Sequence, residues 1–469
     1  MQLIGSDQFT IIIGLGKTGI SCARFLAARK IPFAVADTRK APANLASFQQ
    51  QFPGIEVCCG DLEPDWLKRA NRLLVSPGVS RKEPAIVTAE TAGVEVLGDI
   101  DLFCQSVSAP IIAITGSNAK STVTTWVGEM ALDAGVDVGV GGNLGTPVLD
   151  LLEAGEKALY VLELSSFQLE TTDQLRAEVA TILNVSPDHM DRYDDLAGYH
   201  RAKTRIYRGC KRVVFNHDDH LTQPLLPDNL PQISFRLGRP DLNQFGVVSH
   251  QGELHLAKGL QPLLPVNALK LRGSHNQANA LASLALGDAV GLPMPSMLQT
   301  LQRFGGLRHR CQWLRQLDGV DYYNDSKGTN VGATLAAIEG LGADRLAQTP
   351  PGKVVLIAGG EGKGAEFTDL AEPMRRYGRH AVLIGTDREL LASALEEAVP
   401  CQQQDTLDAA VTVAQQLAEP GDVVMLSPAC ASFDMFSGFE HRGECFETQV
   451  QALKPSLQSA TTAGRGGQS

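Results

Sequence analysis

No run of apolar residues in this 469-residue chain approaches the ~18–20 needed to span a bilayer, so membrane insertion is not expected. The opening Met1-Gln2-Leu3-Ile4-Gly5-Ser6-Asp7 lacks the basic segment of an export signal. Cysteine is sparse and poorly placed for cross-linking. There are nine, an odd number, with no C-x-x-C pair and with Cys58 beside Cys59. That pattern fits neither a disulfide framework nor a zinc site, and it points to a reducing cytoplasm. Positive charge is in deficit: 41 basic against 52 acidic residues leave a net charge of -11. A whole face attracting nucleic acid or anionic lipid is therefore excluded, and any anionic ligand must be held by local groups. No short repeat or coiled-coil pattern is present, and neither is the polar bias of a disordered chain, since 43% of residues are hydrophobic and 20% charged. At ~100–200 residues per domain, the length predicts two to four domains with cores that need no staples.

Short apolar runs alternate with amphipathic stretches, the rhythm of parallel α/β sheets. The first cycle reads as strands at 9–13, 33–36 and 73–75 with a helix over 20–28. A second begins with a strand at 110–115. In the helix that follows, Val123, Trp126, Val127, Met130 and Ala131 keep helical spacing up to Gly135, and strands follow at 158–164 and 179–185. Residues 221–264, rich in Pro, Gln and Asp, read as a meander or insertion. A third cycle carries strands at 354–358, 381–384 and 423–426. The fold expected is α/β in three domains, 1–98, 99–306 and 307–454, followed by a small, polar, disordered tail at 455–469. Trp66, Trp126 and Trp313 are expected in the core, as is Cys430, which has no base beside it in sequence to make it a nucleophile.

Two glycine loops carry the first chemical signal. Gly14-Leu15-Gly16-Lys17-Thr18-Gly19 joins a strand to a helix, and Asp37 ends the next strand where a dinucleotide fold places its ribose-binding acid. An NAD(P) site, another nucleotide diphosphate on a helix N-terminus and a purely structural turn all remain open for it. Thr115-Gly116-Ser117-Asn118-Ala119-Lys120-Ser121-Thr122 has the order of a phosphate-binding loop: backbone N–H groups cradle phosphates, the lysine supplies charge and the hydroxyl ligates magnesium. Ile114 and Ala119 stand where the strict pattern has glycine, and a positive φ at Ala119 would cost about 1 kcal/mol. The alternative is an ordinary helix start capped by Ser117 or Asn118.

Charged residues at strand ends add to this. Glu163 closes an otherwise apolar strand, at the edge where open parallel sheets bind ligands, and Asp188-His189-Met190-Asp191 follows the next strand with hard oxygens and an imidazole. Solvated loop acids are the simpler reading of that cluster. In the following helix Tyr199, Ala202, Lys203, Ile206 and Tyr207 share one stripe, which turns Lys203 inward, where a lysine is rarely found without a partner. In the third cycle Asn324-Asp325-Ser326-Lys327-Gly328-Thr329-Asn330, Gly359-Gly360-Glu361-Gly362-Lys363-Gly364 and Ser427-Pro428-Ala429-Cys430-Ala431-Ser432 all lie at strand ends, suited to an anionic small molecule or to phosphates.

The phosphate loop with Gly141-Gly142-Asn143, Glu163-Leu164-Ser165-Ser166-Phe167-Gln168, Asp188-His189-Met190-Asp191-Arg192, His275-Asn276-Gln277-Ala278-Asn279, Arg308-His309-Arg310 and Asp325-Ser326-Lys327 resembles the Mur ligase family. With the N-terminal Gly-Leu-Gly, Asp37-Thr38 and Ser76-Pro77-Gly78, and with the closing 427–432 run, the resemblance covers residues 5–452 and is nearest to the members that add D-glutamate. It implies a Rossmann-like UDP-binding domain, a central P-loop-type ATPase domain and a C-terminal Rossmann-like domain. The implied reaction is cytoplasmic: ATP phosphorylates the carboxylate of UDP-N-acetylmuramoyl-L-alanine and the D-glutamate amine attacks the acyl phosphate, giving an amide, ADP and phosphate. A monomer working on small molecules with two Mg2+ ions is expected. By the same resemblance ATP lies on Gly116, Ser117, Asn118, Ala119, Lys120, Ser121 and Thr122, with Asn276, Asn279, Arg310 and Asp325 holding adenine, phosphate and ribose. Asn276 and Asn279 by themselves would read only as a helix start. Lys120, Lys203, His189 and Asn143 are the catalytic group, and Ser121, Glu163, His189 and Lys203 as a carbamate hold the metal. The UDP substrate falls to Gly14, Leu15, Gly16, Lys17, Thr18, Asp37, Thr38, Ser76, Pro77, Gly78, Asn143, Ser165 and Gln168. D-Glutamate falls to Lys327, Thr329, Lys363, Ser432, Phe433 and Phe439. The sequence departs from the family at Ala119, where glycine is usual, and at Gly328 and Phe433, where Ala and Leu are common. The family closes its third domain over the second during turnover, and Gly305-Gly306 is the expected hinge.

Overall fold

The computed structural model describes residues 9–225, 230–271, 273–346 and 349–455, so the expected tail beyond 455 lies outside the described residues. Among the described residues the strands form three sheets. The first holds β1 (Thr10–Ile13), β2 (Phe33–Asp37), β3 (Val57–Cys59), β4 (Arg72–Val75) and β5 (Glu95–Leu97), all parallel in the order β3-β2-β1-β4-β5. The second has nine strands: β6 (Ile111–Thr115), β7 (Val138–Gly142), β8 (Leu159–Glu163), β9 (Val179–Ile182), β10 (Val213–Asn216), β11 (Gln232–Phe235), β12 (Phe245–His250), β13 (Glu253–Lys258) and β14 (Gln261–Pro265). Their order is β14-β13-β12-β11-β10-β9-β6-β8-β7, so the stretch read as a meander supplies β11–β14 along one side of the sheet. The third contains β15 (Gln312–Leu317), β16 (Val320–Asn324), β17 (Val354–Gly359), β18 (Gly378–Ile384), β19 (Cys401–Gln403) and β20 (Val423–Leu426), ordered β15-β16-β20-β17-β18-β19. There β15 is antiparallel to β16 and the other pairs are parallel.

The chain divides into two compact units. The first two sheets lie in the unit made of residues up to Val185, Ala197–Leu264 and Asn279–Leu301; the third sheet lies in the unit made of Ser186–Leu196, Pro265–Ala278 and the chain from Gln302. Within the first unit the N-terminal sheet is tied to the central one by polar contacts. Asp150 accepts from Ser21 Oγ (2.6 Å) and Arg24, and Arg81 reaches Asp173 (3.4 Å). Buried Asp101 accepts the backbone N–H groups of Asp173 and Gln174. Central strands β1, β6 and β17 are buried along their whole length, because helices cover both faces of such sheets and leave no polar side to alternate with.

Two side chains depart from expectation. Trp126 is fully buried, but Trp313 is 53% exposed and Trp66 half-buried. The reason is placement: β15 is an edge strand, so Trp313 covers only its neighbour and donates Nε1–H to Asp321 (2.9 Å), while Trp66 donates to Glu56 (2.9 Å). Cys430 is buried as expected, and burial pushes its thiol up to about 12. No helix among the described residues is long and apolar enough to cross a membrane.

Candidate active site

The phosphate-type loop leaves the C-terminal end of β6, which lies between β8 and β9. Its geometry excludes the ordinary helix cap: the helix Lys120–Asp133 has Ala119 at its N-cap, in the left-handed region (φ 64°), with no side-chain cap bond. Asn184 holds the loop in that shape. Its carbonyl accepts Ser117 N–H (2.9 Å), its Oδ1 accepts Asn118 N–H (2.8 Å) and its amide donates back to the Asn118 carbonyl (3.3 Å). Asn184 did not stand out in the sequence, where it fell inside the strand expected at 179–185; in the structure that strand ends at Ile182 and Asn184 follows it. At Gly116 a Cβ would press on Leu183 (3.1 Å), so that glycine serves close packing of loop on strand.

Two lysines meet at this loop. Lys120 Nζ donates to the carbonyls of Gly116 and Ser117 (both 2.8 Å), and Lys203 Nζ donates to the same Gly116 carbonyl (2.8 Å) and lies 3.4 Å from Thr115 Oγ1. Lys203 is 1% exposed, on the inward stripe, with its ammonium over the Tyr199 ring at 4.5 Å. Tyr199 OH in turn lies 3.3 Å from Ser117 Oγ. Ser121 and Thr122 are buried at the start of the helix.

Glu163 ends β8 directly beside β6, in register with Ile114 on one side and Gly142 on the other. Asn143 donates to its Oε1 (2.7 Å), while its Oε2 is buried with no hydrogen-bond partner among the described residues. A buried carboxylate oxygen left without a donor is costly unless a cation meets it, so this end of β8 fits a divalent metal. Among the described residues no three His, Cys, Asp or Glu side chains gather around one point. Gly142 (φ 102°) has to be glycine, because a Cβ there would run into the Glu163 carbonyl.

In the N-terminal sheet Asp37 is already surrounded. It accepts Leu15 N–H (2.7 Å), Arg39 N–H (2.9 Å) and both arms of the Arg39 guanidinium (2.8 and 2.7 Å). Burial alone would raise its carboxyl, but the Arg39 and backbone hydrogen bonds hold it at about 2. Arg39 was not singled out from the sequence. Gly14 (φ 103°) is crossed by Ser76, whose hydroxyl donates to the Gly14 carbonyl (3.2 Å), and Gly19 closes against that same carbonyl. Among the described residues nothing lies within 4 Å of the place of a Cβ on Gly16. Leu15 is buried, Pro77 and Thr18 half-buried, and Lys17, Thr38 and Gly78 exposed. Ser165 and Gln168 engage each other, forming the reciprocal cap of the helix Ser166–Glu170.

In the other unit His189 (φ 57°) is half-buried, and its N–H donates to Asp188 (3.0 Å), whose other oxygen accepts from Asn330 (3.2 Å). Asn276 is buried beside His275, whose imidazole burial pushes down to about 4; Asn279, in the first unit, is buried too. Asp325 ends up beneath its loop, accepting from Cys311 N–H (3.1 Å) and Ser427 Oγ (2.7 Å). Burial nonetheless raises it to about 6, against the pull of those bonds and of the nearby, half-buried Arg310. A Cβ on Gly328 would meet Asp325 Oδ2 at 2.6 Å, so the departure from alanine has a packing reason in this chain. Lys327 Nζ stands 3.8 Å from the Phe439 ring. Ser432 is buried, Thr329 and Lys363 (φ 53°) are half-buried, and Phe433 is 68% exposed.

Three stretches of the chain match known domains in order: the Mur ligase MurD-like N-terminal domain at 8–98, the Mur ligase middle domain at 114–287 and the Mur ligase glutamate ligase domain at 309–430. The chain is 58% identical over 453 residues to the UDP-N-acetylmuramoylalanine--D-glutamate ligase of Pseudomonas aeruginosa, covering 97% of this chain and 100% of that one. The chain belongs to the Mur ligase family. A relative of the same name from Marinobacter nauticus is 52% identical, with 97% and 100% covered. The Mur ligase fold is seen in two solved structures from Thermotoga maritima. The UDP-N-acetylmuramate-alanine ligase has a TM-score of 0.60 at 18% identity, covering 95% of this chain and 100% of that one. The MurF ligase in complex with ADP has a TM-score of 0.61 at 16% identity, covering 96% and 100%. In Mur ligase terms the three sheets are the cores of the three α/β domains.

Proposed function

We propose that this chain is the ADP-forming ligase that joins D-glutamate to UDP-N-acetylmuramoyl-L-alanine in the cytoplasm, as a step of peptidoglycan precursor synthesis. The observation that carries the chemistry is the group at the end of β6 and β8: two lysine ammonium groups on one loop carbonyl, beside a buried carboxylate with an uncommitted oxygen. Phosphoryl transfer to a carboxylate brings several negative charges together, and catalysis of it consists mainly of positioning and charge stabilisation. In this reading Gly116–Thr122 cradle the phosphates of ATP and Lys120 leaves its loop carbonyls to meet them. Asn143 orients Glu163, and Glu163 with Ser121 and Lys203 as its carbamate hold magnesium. When bound, magnesium supplies neutralisation of phosphate charge. The γ-phosphoryl group passes to the substrate carboxylate with release of ADP, and the free amine of D-glutamate then attacks the acyl carbon, displacing phosphate as the amide forms.

The first glycine loop, with Asp37 and Thr38, takes the uridine diphosphate. The open space at Gly16 supports close approach of a ligand there, and the four donors already on Asp37 leave little for a dinucleotide ribose. His189, Asn276, Arg310 and Asp325 serve ATP and metal, and Lys327, Thr329, Lys363, Ser432, Phe433 and Phe439 receive D-glutamate. The test is phosphate release from ATP and magnesium with UDP-N-acetylmuramoyl-L-alanine, comparing D-glutamate, L-glutamate and no amino acid. Release with D-glutamate alone is expected; release with a different amino acid only would move the chain to another activity of the family.

A further inference from the structure

Arg442, in the helix Phe439–Ala452, is 1% exposed and takes part in none of the ion pairs among the described residues. All five of its N–H groups are used. Nε donates to Ser326 Oγ (3.0 Å), Nη2 to the carbonyls of Ser326 (2.9 Å) and Cys430 (3.1 Å), and Nη1 to those of Ala431 (3.3 Å) and Gly359 (3.4 Å). None of these acceptors is a carboxylate. Burial lowers the guanidinium to about 10, which leaves it charged at neutral pH. A buried cation hydrogen-bonded only to carbonyls and a hydroxyl, with the charges of Asp434 and Asp325 acting on it without a direct bond, is an expensive way to fill a core, and the sheet beside it is packed with apolar side chains that need no such help.

The acceptors lie at the C-terminal ends of β16, β20 and β17, three adjacent parallel strands, at the edge where such sheets bind ligands. The loops that leave these ends are also stapled to one another around the guanidinium. Ala429 N–H donates to the Gly328 carbonyl (2.8 Å), and Glu361 and Ala431 exchange both backbone bonds (3.1 and 2.8 Å). Ser326 Oγ, while accepting from Arg442, donates to the Phe439 carbonyl (2.9 Å), and the Phe439 ring lies against Lys327.

We propose that Arg442 is the positioning residue of the amino-acid site: one guanidinium sets the three loops that carry Lys327, Lys363 and Ser432, so that donors to an amino-acid dicarboxylate are fixed before it binds. The ligand assigned to these loops rests on the proposed function; the clamp itself rests on the five bonds. Substitution of Arg442→Lys keeps the charge but offers three donors from one point instead of a planar fork of five. The expected result is a KM for D-glutamate raised about tenfold or more, with KM for ATP and for the UDP substrate within about twofold. Hydrogen exchange, read without substrate, should lose protection together in 326–328, 359–364 and 429–433 while β16, β17 and β20 keep theirs. Equal changes in all three KM values, a fall in kcat alone, or exchange that is unchanged or uniformly raised would overturn the clamp. If Arg442→Lys does not fold, Ser326→Ala removes the Nε acceptor and should show the same pattern with smaller amplitude. Should the wild-type chain prefer another amino acid, the proposed function fails by itself, and the clamp is judged on that amino acid's KM and on the exchange data.

Discussion

Asp99 offers a test of the electrostatics at the junction of the first two sheets. It is 3% exposed at the start of the helix Asp99–Cys104, beside the Gln168 amide, and its Oδ1 is buried with no hydrogen-bond partner among the described residues. Burial raises its carboxyl from the ordinary 3.8 to about 6, although its own and the Ile100 N–H groups and Gln168 pull the other way. Between those two values the folded chain holds a proton that the unfolded chain has lost, so stability falls as pH rises from 3.8 to about 6 and stays at the lower level above that. At about 1.36 kcal/mol per pH unit the loss amounts to about 3 kcal/mol. Asp99→Asn removes the ionisation and keeps the shape, so the variant should gain on wild type across that interval and hold a constant advantage of up to about 3 kcal/mol above pH 6.5. Urea unfolding of both proteins at half-unit steps from pH 4.5 to 7.5 measures it. An advantage of the same size at every pH, or a variant less stable than wild type at pH 7.5, would refute the reasoning.

Three further outcomes follow from the site. Lys120→Ala should cut turnover by about 100-fold or more with the melting temperature little changed, as measured by phosphate release and calorimetry; near-normal turnover would remove the phosphate-loop assignment. If Lys203 works as a carbamate, activity should fall in carbon-dioxide-stripped buffer and return with bicarbonate, while an unmodified intact mass and indifference to bicarbonate would count against it. Ala119→Gly relieves a left-handed strain of about 1–2 kcal/mol and gives back about 0.5–1 kcal/mol in unfolded-chain entropy. A small net stabilisation in urea unfolding is therefore expected, and a clear loss would show that the alanine methyl packs usefully.

What the sequence determined by itself was whatever depends on near neighbours. Strand and helix periods placed the strand cycles, the Lys203 stripe was legible because Tyr199, Ala202, Lys203, Ile206 and Tyr207 repeat at helical spacing, and the ligand-type loops stood out by their glycines at strand ends. The left-handed Ala119 was also foreseeable from its slot in the loop. The sheet edges were not. Trp313 reads as core until β15 proves to be an edge strand, and residues 232–265 form strands only because β10 offers them an edge to extend. The supporting polar contacts were decided by tertiary structure alone. Asn143 finds Glu163 from 20 residues away, Asn184 finds Asn118 from 66 and Arg442 finds Ser326 from 116. Each of these partners is chosen by which strands lie side by side, and strand order is set by packing over the whole sheet, which no local spacing of residues encodes.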